Sequence, residues 1–422
     1  MNRSSIVAYV HGCVSRQSRK EHVLEVFIKP MSYPCTSRLK AVRAVAAACG
    51  ICAGVFCASP AQAQYGPPAK FEPPGNSVYH GASLPDTWSE TGLETQLRQY
   101  QQVAGKRLCV VTWFASVYEN GNMTSWSQSY LPVLTRVKRD NAISLIKFST
   151  QDDNYNANHK MADLKQISEG VYDAYFQQMA QAVKQFGGPV FISIDHEMNG
   201  TWYPYSQGFP GSTTTAQDFV SAWQHIVNMF HSAGANNAAF VWSPNVPDVG
   251  GIPASSYYPG DQYVDWVGCS FYSGNDATAL EPLYNTYAAR KPFFVTEWAT
   301  APEKSQYYQG YPGDAAWVKQ TFDAFTSLYP RVKAISWFNW NKDDGNYLLQ
   351  RDPGQAQVYA TDIQSPRYLD SPGAIQTADA LDVPRLDTPP PEIVLNEAQP
   401  VQTAPVVAPK RERIHLELVP TE

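Results

Sequence analysis

The chain has 422 residues, 32 Lys and Arg against 38 Asp and Glu, and a formal charge of −6. That length holds one domain of barrel size or two smaller ones, and a composition 44% hydrophobic and 17% charged excludes a wholly disordered chain. The acidic balance argues against nucleic acid as the main partner, because tracking a phosphate backbone takes clustered Lys and Arg. With 11 Trp and 25 Tyr, flat rings able to stack on sugar faces are plentiful, which admits carbohydrate as a ligand without deciding it.

In chain order, the first feature is an export signal. Arg38, Lys40 and Arg43 form a basic patch, residues 44–58 are apolar or small, and Ala61-Gln62-Ala63 is a cleavage pattern. The apolar run is too short for a membrane span. With Met31 as the start, residues 1–30 are an upstream extension, 31–63 the signal peptide and 64–75 a linker. The mature chain then carries 24 basic and 36 acidic residues and a net charge near −12. Of the seven Cys, only Cys109 and Cys269 remain after cleavage. Each sits in an apolar, strand-like run, so two buried free thiols are expected rather than a disulfide.

Between residues 76 and 345 the apolar pattern switches repeatedly between strand and helix periods. Strands are expected at 77–82, 108–114, 142–148, 189–194, 239–243, 266–272, 292–296 and 334–338, with amphipathic helices at 91–103, 171–186, 216–233 and 314–328. Eight strands with intervening helices predict an α/β fold, a (β/α)8 TIM barrel over residues 76–370. The rival is a doubly wound open sheet, which usually carries a Gly-rich phosphate-binding turn, and neither such motif occurs here. Residues 383–422 hold eight Pro, no Gly and no aromatic residue. That composition cannot bury a core, so the C-terminal segment 371–422 reads as an extended tail.

A barrel of this kind does its chemistry where the strands end at the C-terminal face. Strand 4 runs into Asp195-His196-Glu197-Met198-Asn199-Gly200-Thr201-Trp202, and strand 7 into Glu297-Trp298. Trp113, Trp242, Tyr272 and Trp340 lie at or near the ends of strands 2, 5, 6 and 8. Two carboxylates on facing strands, both after apolar runs, suit glycoside hydrolysis: burial beside a like charge keeps one protonated while the other stays ionised. A separation of roughly 5–5.5 Å, the retaining geometry, is expected. A zinc motif is incomplete, since no His stands three residues after Glu197. Side-chain alternation along a strand would also keep Asp195, His196 and Glu197 from chelating one ion. No metal and no cofactor is expected.

The run Gly187 to Pro204, with its His196-Glu197-Met198-Asn199-Gly200-Thr201-Trp202-Tyr203 cluster, resembles glycoside hydrolase family 26. So do Val241-Trp242-Ser243-Pro244-Asn245, the strand ending at Tyr272, and Phe294-Val295-Thr296-Glu297-Trp298. The resemblance covers about residues 75–345. It implies a retaining barrel enzyme with Glu197 as acid/base and Glu297 as nucleophile. It further implies His196 orienting the sugar, Trp202 in the binding cleft, Tyr272 bonding the nucleophile, and Trp340 as a looser match to a platform. Trp298, Trp113, Trp242 and Asn199 are expected to contribute to the cleft as well. Two departures stand out: Ser193 where many members carry Arg, and Asn341 after Trp340 where mannanases often have Arg. The expectation is an exported, monomeric endo-β-glycosidase acting on a polysaccharide, most simply β-1,4-mannan. The alternatives are a β-1,3/1,4-glucanase or β-1,3-xylanase, and, in another class, a barrel that binds polysaccharide without cleaving it.

Overall fold

Eight strands form the centre of the molecule: β1 (Val78–Ser83), β2 (Val110–Glu119), β3 (Ile143–Asp152), β4 (Val190–Ile194), β5 (Ala238–Trp242), β6 (Trp266–Tyr272), β7 (Phe293–Ala299) and β8 (Val332–Phe338). In the computed structural model, which describes residues 65–300, 310–342 and 344–373, each strand runs parallel to its neighbours, and β1 pairs with both β2 and β8. The sheet is therefore closed, as the alternating pattern predicts, and no barrel strand presents an unpaired edge. The signal peptide, the upstream extension and all but the first residues of the C-terminal segment lie outside the described residues.

Helices follow the strands in turn: α1 (Glu90–Ala104), α2 (Leu131–Arg139), α3 (Asp173–Phe186), α4 (Ala216–Ala233), α5 (Glu281–Tyr287), α6 (Asp314–Ser327) and α7 (Pro353–Asp362). After β5 the described residues hold two single 3-10 turns, Ala254–Tyr257 and Asp261–Tyr263, in place of an α-helix. α4 shows why the local sequence stops and starts where it does. Thr215 and Asp218 cap each other's backbone N–H groups at its start, and Gly234 takes the left-handed conformation at its end. Between them Phe219, Trp223, Ile226, Val227 and Phe230 face the barrel and are buried. No described helix is long and apolar enough to cross a membrane.

β2, β3 and β7 run several residues past their expected ends. The apolar pattern stops at the rim, but the hydrogen-bond ladder continues through polar positions such as Ser116 and Ser149, which are register partners. Inside the barrel the strand starts supply an apolar layer, with Tyr79, Leu145, Phe191, Val241, Trp266 and Phe294 packed together. Gly268 leaves space within it, since a Cβ there would sit 2.9 Å from Ser243 Cβ and Val241 Cγ1. Cys109 and Cys269 are buried free thiols, as expected.

The segment 64–75, expected as a linker, is built into this end of the barrel over its described part. Phe71 is buried, its ring edge-on to Phe191 at 5.9 Å. Lys70 Nζ donates to the Ala238 carbonyl (2.7 Å), Trp266 Nε1–H donates to the Lys70 carbonyl (2.7 Å), and Glu72 pairs with Arg331. A run rich in Pro and Gly reads as linker because no periodicity marks it. One aromatic side chain filling the barrel mouth needs no periodicity.

Candidate active site

β4 ends at Ile194, and the next residues leave strand geometry. Asp195 and Glu197 both adopt positive φ, 45° and 57°, a region that side-chain-bearing residues seldom occupy. Fixed partners hold them there. The Asp195 carboxylate accepts from the Thr150 backbone N–H (2.7 Å) and hydroxyl (2.8 Å), and the Glu197 N–H donates to the Ser243 carbonyl (2.8 Å). The alternation expected for Asp195-His196-Glu197 therefore does not apply. Asp195 turns back towards β3, while the adjacent His196 and Glu197 both face the cavity. Burial lifts the Asp195 carboxyl to about 7 despite the Thr150 bonds.

β7 reaches the same cavity by another device. Phe294 belongs to the inner apolar layer and Glu297 to the cavity, a spacing of three that a regular strand cannot put on one face. The register against β6 slips there: Cys269 pairs with Val295, but Ser270 pairs with Glu297, leaving Thr296 as the extra residue. Such a bulge re-aims everything beyond it.

Glu297 is gripped from two sides. Lys147 Nζ, from β3, lies 2.9 Å from its Oε1, and the Tyr272 hydroxyl donates to its Oε2 at 2.7 Å. Burial would lift its pKa, but Lys147, His196 and the Tyr272 hydrogen bond take it down to about 2. His196 is itself pushed down to about 3, by burial first and Lys147 second, and is neutral at neutral pH. Its Nε2 is 4.0 Å from Glu297 Oε1 and 3.2 Å from the Tyr203 hydroxyl. The cation balancing Glu297 is therefore Lys147. Glu197 shifts the opposite way. Burial and the negative charge of Glu297 raise its pKa, against the pull of Lys147 and of Trp202, whose Nε1–H donates to Glu197 Oε2 at 2.8 Å. One cavity thus holds two carboxyl groups whose pKa values are pushed apart, Glu197 upwards and Glu297 downwards.

That cavity has a volume of about 470 Å³, and Phe114, His196, Glu197, Trp202, Tyr203, Asn245, Tyr272, Glu297, Phe338, Lys342, Asp344 and Tyr347 line it. Trp202 keeps 41% of its surface exposed. The structure thus brings together Glu197, Glu297, His196, Trp202 and Tyr272 from the residues singled out in the sequence. It separates the others. Trp113, Trp242 and Trp298 are buried in the layer between strands and helices, not in the cleft. Trp113 packs on Tyr130, Trp242 on Tyr258 and Tyr287, and Trp298 on Phe322, Phe325 and Trp337. The reason is the two-residue side-chain period: Phe114 and Glu297 point inward, so Trp113 and Trp298 beside them point outward. Trp340 stacks on the cavity residue Phe338 (5.8 Å, 4°) and donates from Nε1 to Ser83 Oγ (2.9 Å), bracing the wall rather than lining it. Asn199 is buried and staples the β5 loop. Its amide donates to the Asn245 carbonyl and Asp248, and its Oδ1 accepts from the Asn245 N–H.

Lys147 was not singled out, although a lone cation inside the apolar run 142–148 was a readable signal. It is the register neighbour of Ser193, the position where the resemblance led to an expectation of Arg. A buried cation is present after all, one strand over. Among the described residues no group of three or more His, Cys, Asp or Glu side chains is placed to hold a metal ion.

The family model described as Glycosyl hydrolase family 26 matches residues 111–318, from β2 into α6. The matched stretch is that of a family 26 barrel. Both Glu197 and Glu297 fall inside the matched stretch. Endoglucanase H of Acetivibrio thermocellus is 27% identical over 282 residues, 63% of this chain but 28% of that protein. Mannan endo-1,4-beta-mannosidase A and B of Caldalkalibacillus mannanilyticus is 34% identical over 105 residues, 24% of this chain and 20% of that protein. The chain thus spans less than a third of either relative. The Bacillus subtilis mannanase man26 structure superposes with a TM-score of 0.51 at 17% identity, over 74% of this chain and 91% of that one. The shared barrel is what that likeness establishes.

Proposed function

We propose that the chain is an exported, monomeric, retaining endo-β-glycoside hydrolase that cleaves β-1,4-mannan. The observation that carries the reading is the split carboxyl pair: in one cavity, burial and the neighbouring charge push Glu197 up while Lys147, His196 and Tyr272 push Glu297 down. In the first step a Glu297 oxygen attacks the anomeric carbon. The glycosidic C–O bond breaks and its oxygen takes the proton of Glu197. In the second, Glu197 removes a proton from water, the water oxygen attacks the anomeric carbon, and the ester bond to Glu297 breaks. Tyr272 orients the nucleophile, Trp202 holds the acid and offers a face to the sugar, and neutral His196 donates to or accepts from a sugar hydroxyl.

A second reading, β-glucan as substrate, is favoured by the likeness over 282 residues to a protein named endoglucanase H. Reducing-sugar release from galactomannan, glucomannan, lichenan and β-1,3-xylan decides between them. Cleavage of the mannans with loss in Glu197→Ala and Glu297→Ala supports the first reading. Cleavage of lichenan alone supports the second. No cleavage of any polymer, with retention on one in an affinity gel, supports a binding barrel instead. Proton NMR of the first product identifies the anomer and tests retention.

A further inference from the structure

We propose that Lys147 is a positioning residue whose fixed charge accelerates release of the glycosyl group from Glu297 and turns Glu197 from acid to base between the two steps. The proposal rests on the hydrolase reading above and adds to it which residue controls the second half of the reaction.

Lys147 is fully buried, and Glu297 nearly so. Beyond the 2.9 Å ion pair with Glu297 Oε1, Nζ has no hydrogen-bond partner among the described residues. Its register neighbour on β4 is the small Ser193, whose buried hydroxyl is also without a partner there. The ammonium group therefore depends on one anion. When Glu297 forms an ester with the anomeric carbon, its negative charge is gone and Lys147 is left as an uncompensated buried cation, a costly state. That cost falls on the covalent intermediate. Breaking the ester bond restores the pair, so the charge favours release.

The same exchange acts on Glu197. In the resting site the Glu297 charge raises the Glu197 pKa while Lys147 lowers it. Esterification removes the first influence and keeps the second, so Glu197 becomes easier to ionise when it must accept the proton of the attacking water. The groups facing this pair are His196, Glu197 and Tyr203 beyond β4, Cys269 and Tyr272 on β6, and Lys342 and Asp344 beyond β8. His196 is held neutral, and burial raises the Cys269 thiol and the Tyr203 and Tyr272 hydroxyls. Lys342 and Asp344 stand about half exposed, 4.0 Å apart. The acid limb of the rate profile therefore belongs to Glu297 and the basic limb to Glu197.

The test uses the full chain and its Lys147→Met and Lys147→Arg variants, with 2,4-dinitrophenyl β-mannobioside and β-cellobioside as probes. Lys147→Met should lower kcat roughly tenfold or more and lower KM with it, with a pre-steady-state burst of dinitrophenol, because the ester accumulates. Its acid limb should move up by at least about one pH unit, while Lys147→Arg keeps the limb low. An independent readout is the carboxyl carbon signal of Glu297 in carbon-13 glutamate-labelled protein, assigned with Glu297→Gln. In Lys147→Met it should titrate at least about one unit higher than in the wild type, whatever the turnover. A wild type that turns over a probe while Lys147→Met keeps its KM, acid limb and carbon titration overturns the role of Lys147 alone. A wild type that turns over neither probe overturns the hydrolase reading, and the release step with it.

Discussion

Two carboxylates are buried against cations at opposite ends of one barrel. At the strand starts Glu72 pairs with Arg331, both over nine-tenths buried. At the strand ends Glu297 pairs with Lys147, buried as deeply. Their surroundings differ. The Glu72 pair borders an apolar plug of Phe71, Tyr79, Phe191 and Trp266. The Glu297 pair opens onto about 470 Å³ shared with a second carboxyl group whose pKa is shifted the opposite way. A buried ion pair is weak evidence for function. What distinguishes the second one is an adjacent space, a competing acid, and the strained backbone at Asp195 and Glu197 that aims the acid into that space.

Removing one partner from each pair gives the widest separation. Glu297→Ala should lower kcat on the cleaved polymer by about 10⁴-fold. Arg331→Met should leave kcat per folded molecule unchanged but cost about 3–5 kcal/mol of stability, because Glu72 stays buried without its partner. Urea unfolding read beside turnover checks both. Equal loss of turnover in Arg331→Met would erase the distinction between the two ends.

The two tryptophans that follow the glutamates sharpen it further. Trp298→Ala removes a fully buried ring between β7 and the helices and should cost about 3–5 kcal/mol, again seen in the unfolding midpoint. Trp202→Ala, at a ring 41% exposed, should change stability by less than about 1 kcal/mol but lower kcat/KM about tenfold or more. Much of this contrast was hidden in the sequence, where each Trp stands close behind a glutamate. Burial on the helix side follows from strand alternation, which becomes usable only once the inward register is known.

The smallest effect is a pH shift. The Trp202 indole N–H favours the ionised form of Glu197. Trp202→Phe should therefore raise the Glu197 pKa and move the basic limb of kcat/KM to higher pH by about half a unit. A limb that moves down would reverse the sign assigned to that hydrogen bond. Stability carries its own pH signature. The folded pKa of Glu297 lies below the ordinary 4.5, so its ionisation contributes stability that is complete above that value and disappears as pH falls through about 2. The stability lost between about pH 5 and pH 2, read by urea unfolding at each pH, should therefore be smaller in Lys147→Met than in Lys147→Arg.

The amino-acid sequence by itself determined the barrel, the order of its strands, and the identity of the two glutamates with His196, Trp202 and Tyr272, because these signals are local. Apolar runs of strand length, helical periods, caps and short motifs are all read from neighbouring residues. Only the tertiary structure decided which tryptophans face the cleft, that Phe71 closes the other end, that a bulge in β7 turns Glu297 inward, and that the cation beside it comes from Lys147 on β3. Those facts depend on register between strands far apart in the chain, and a shift of one residue would exchange every inward and outward side chain.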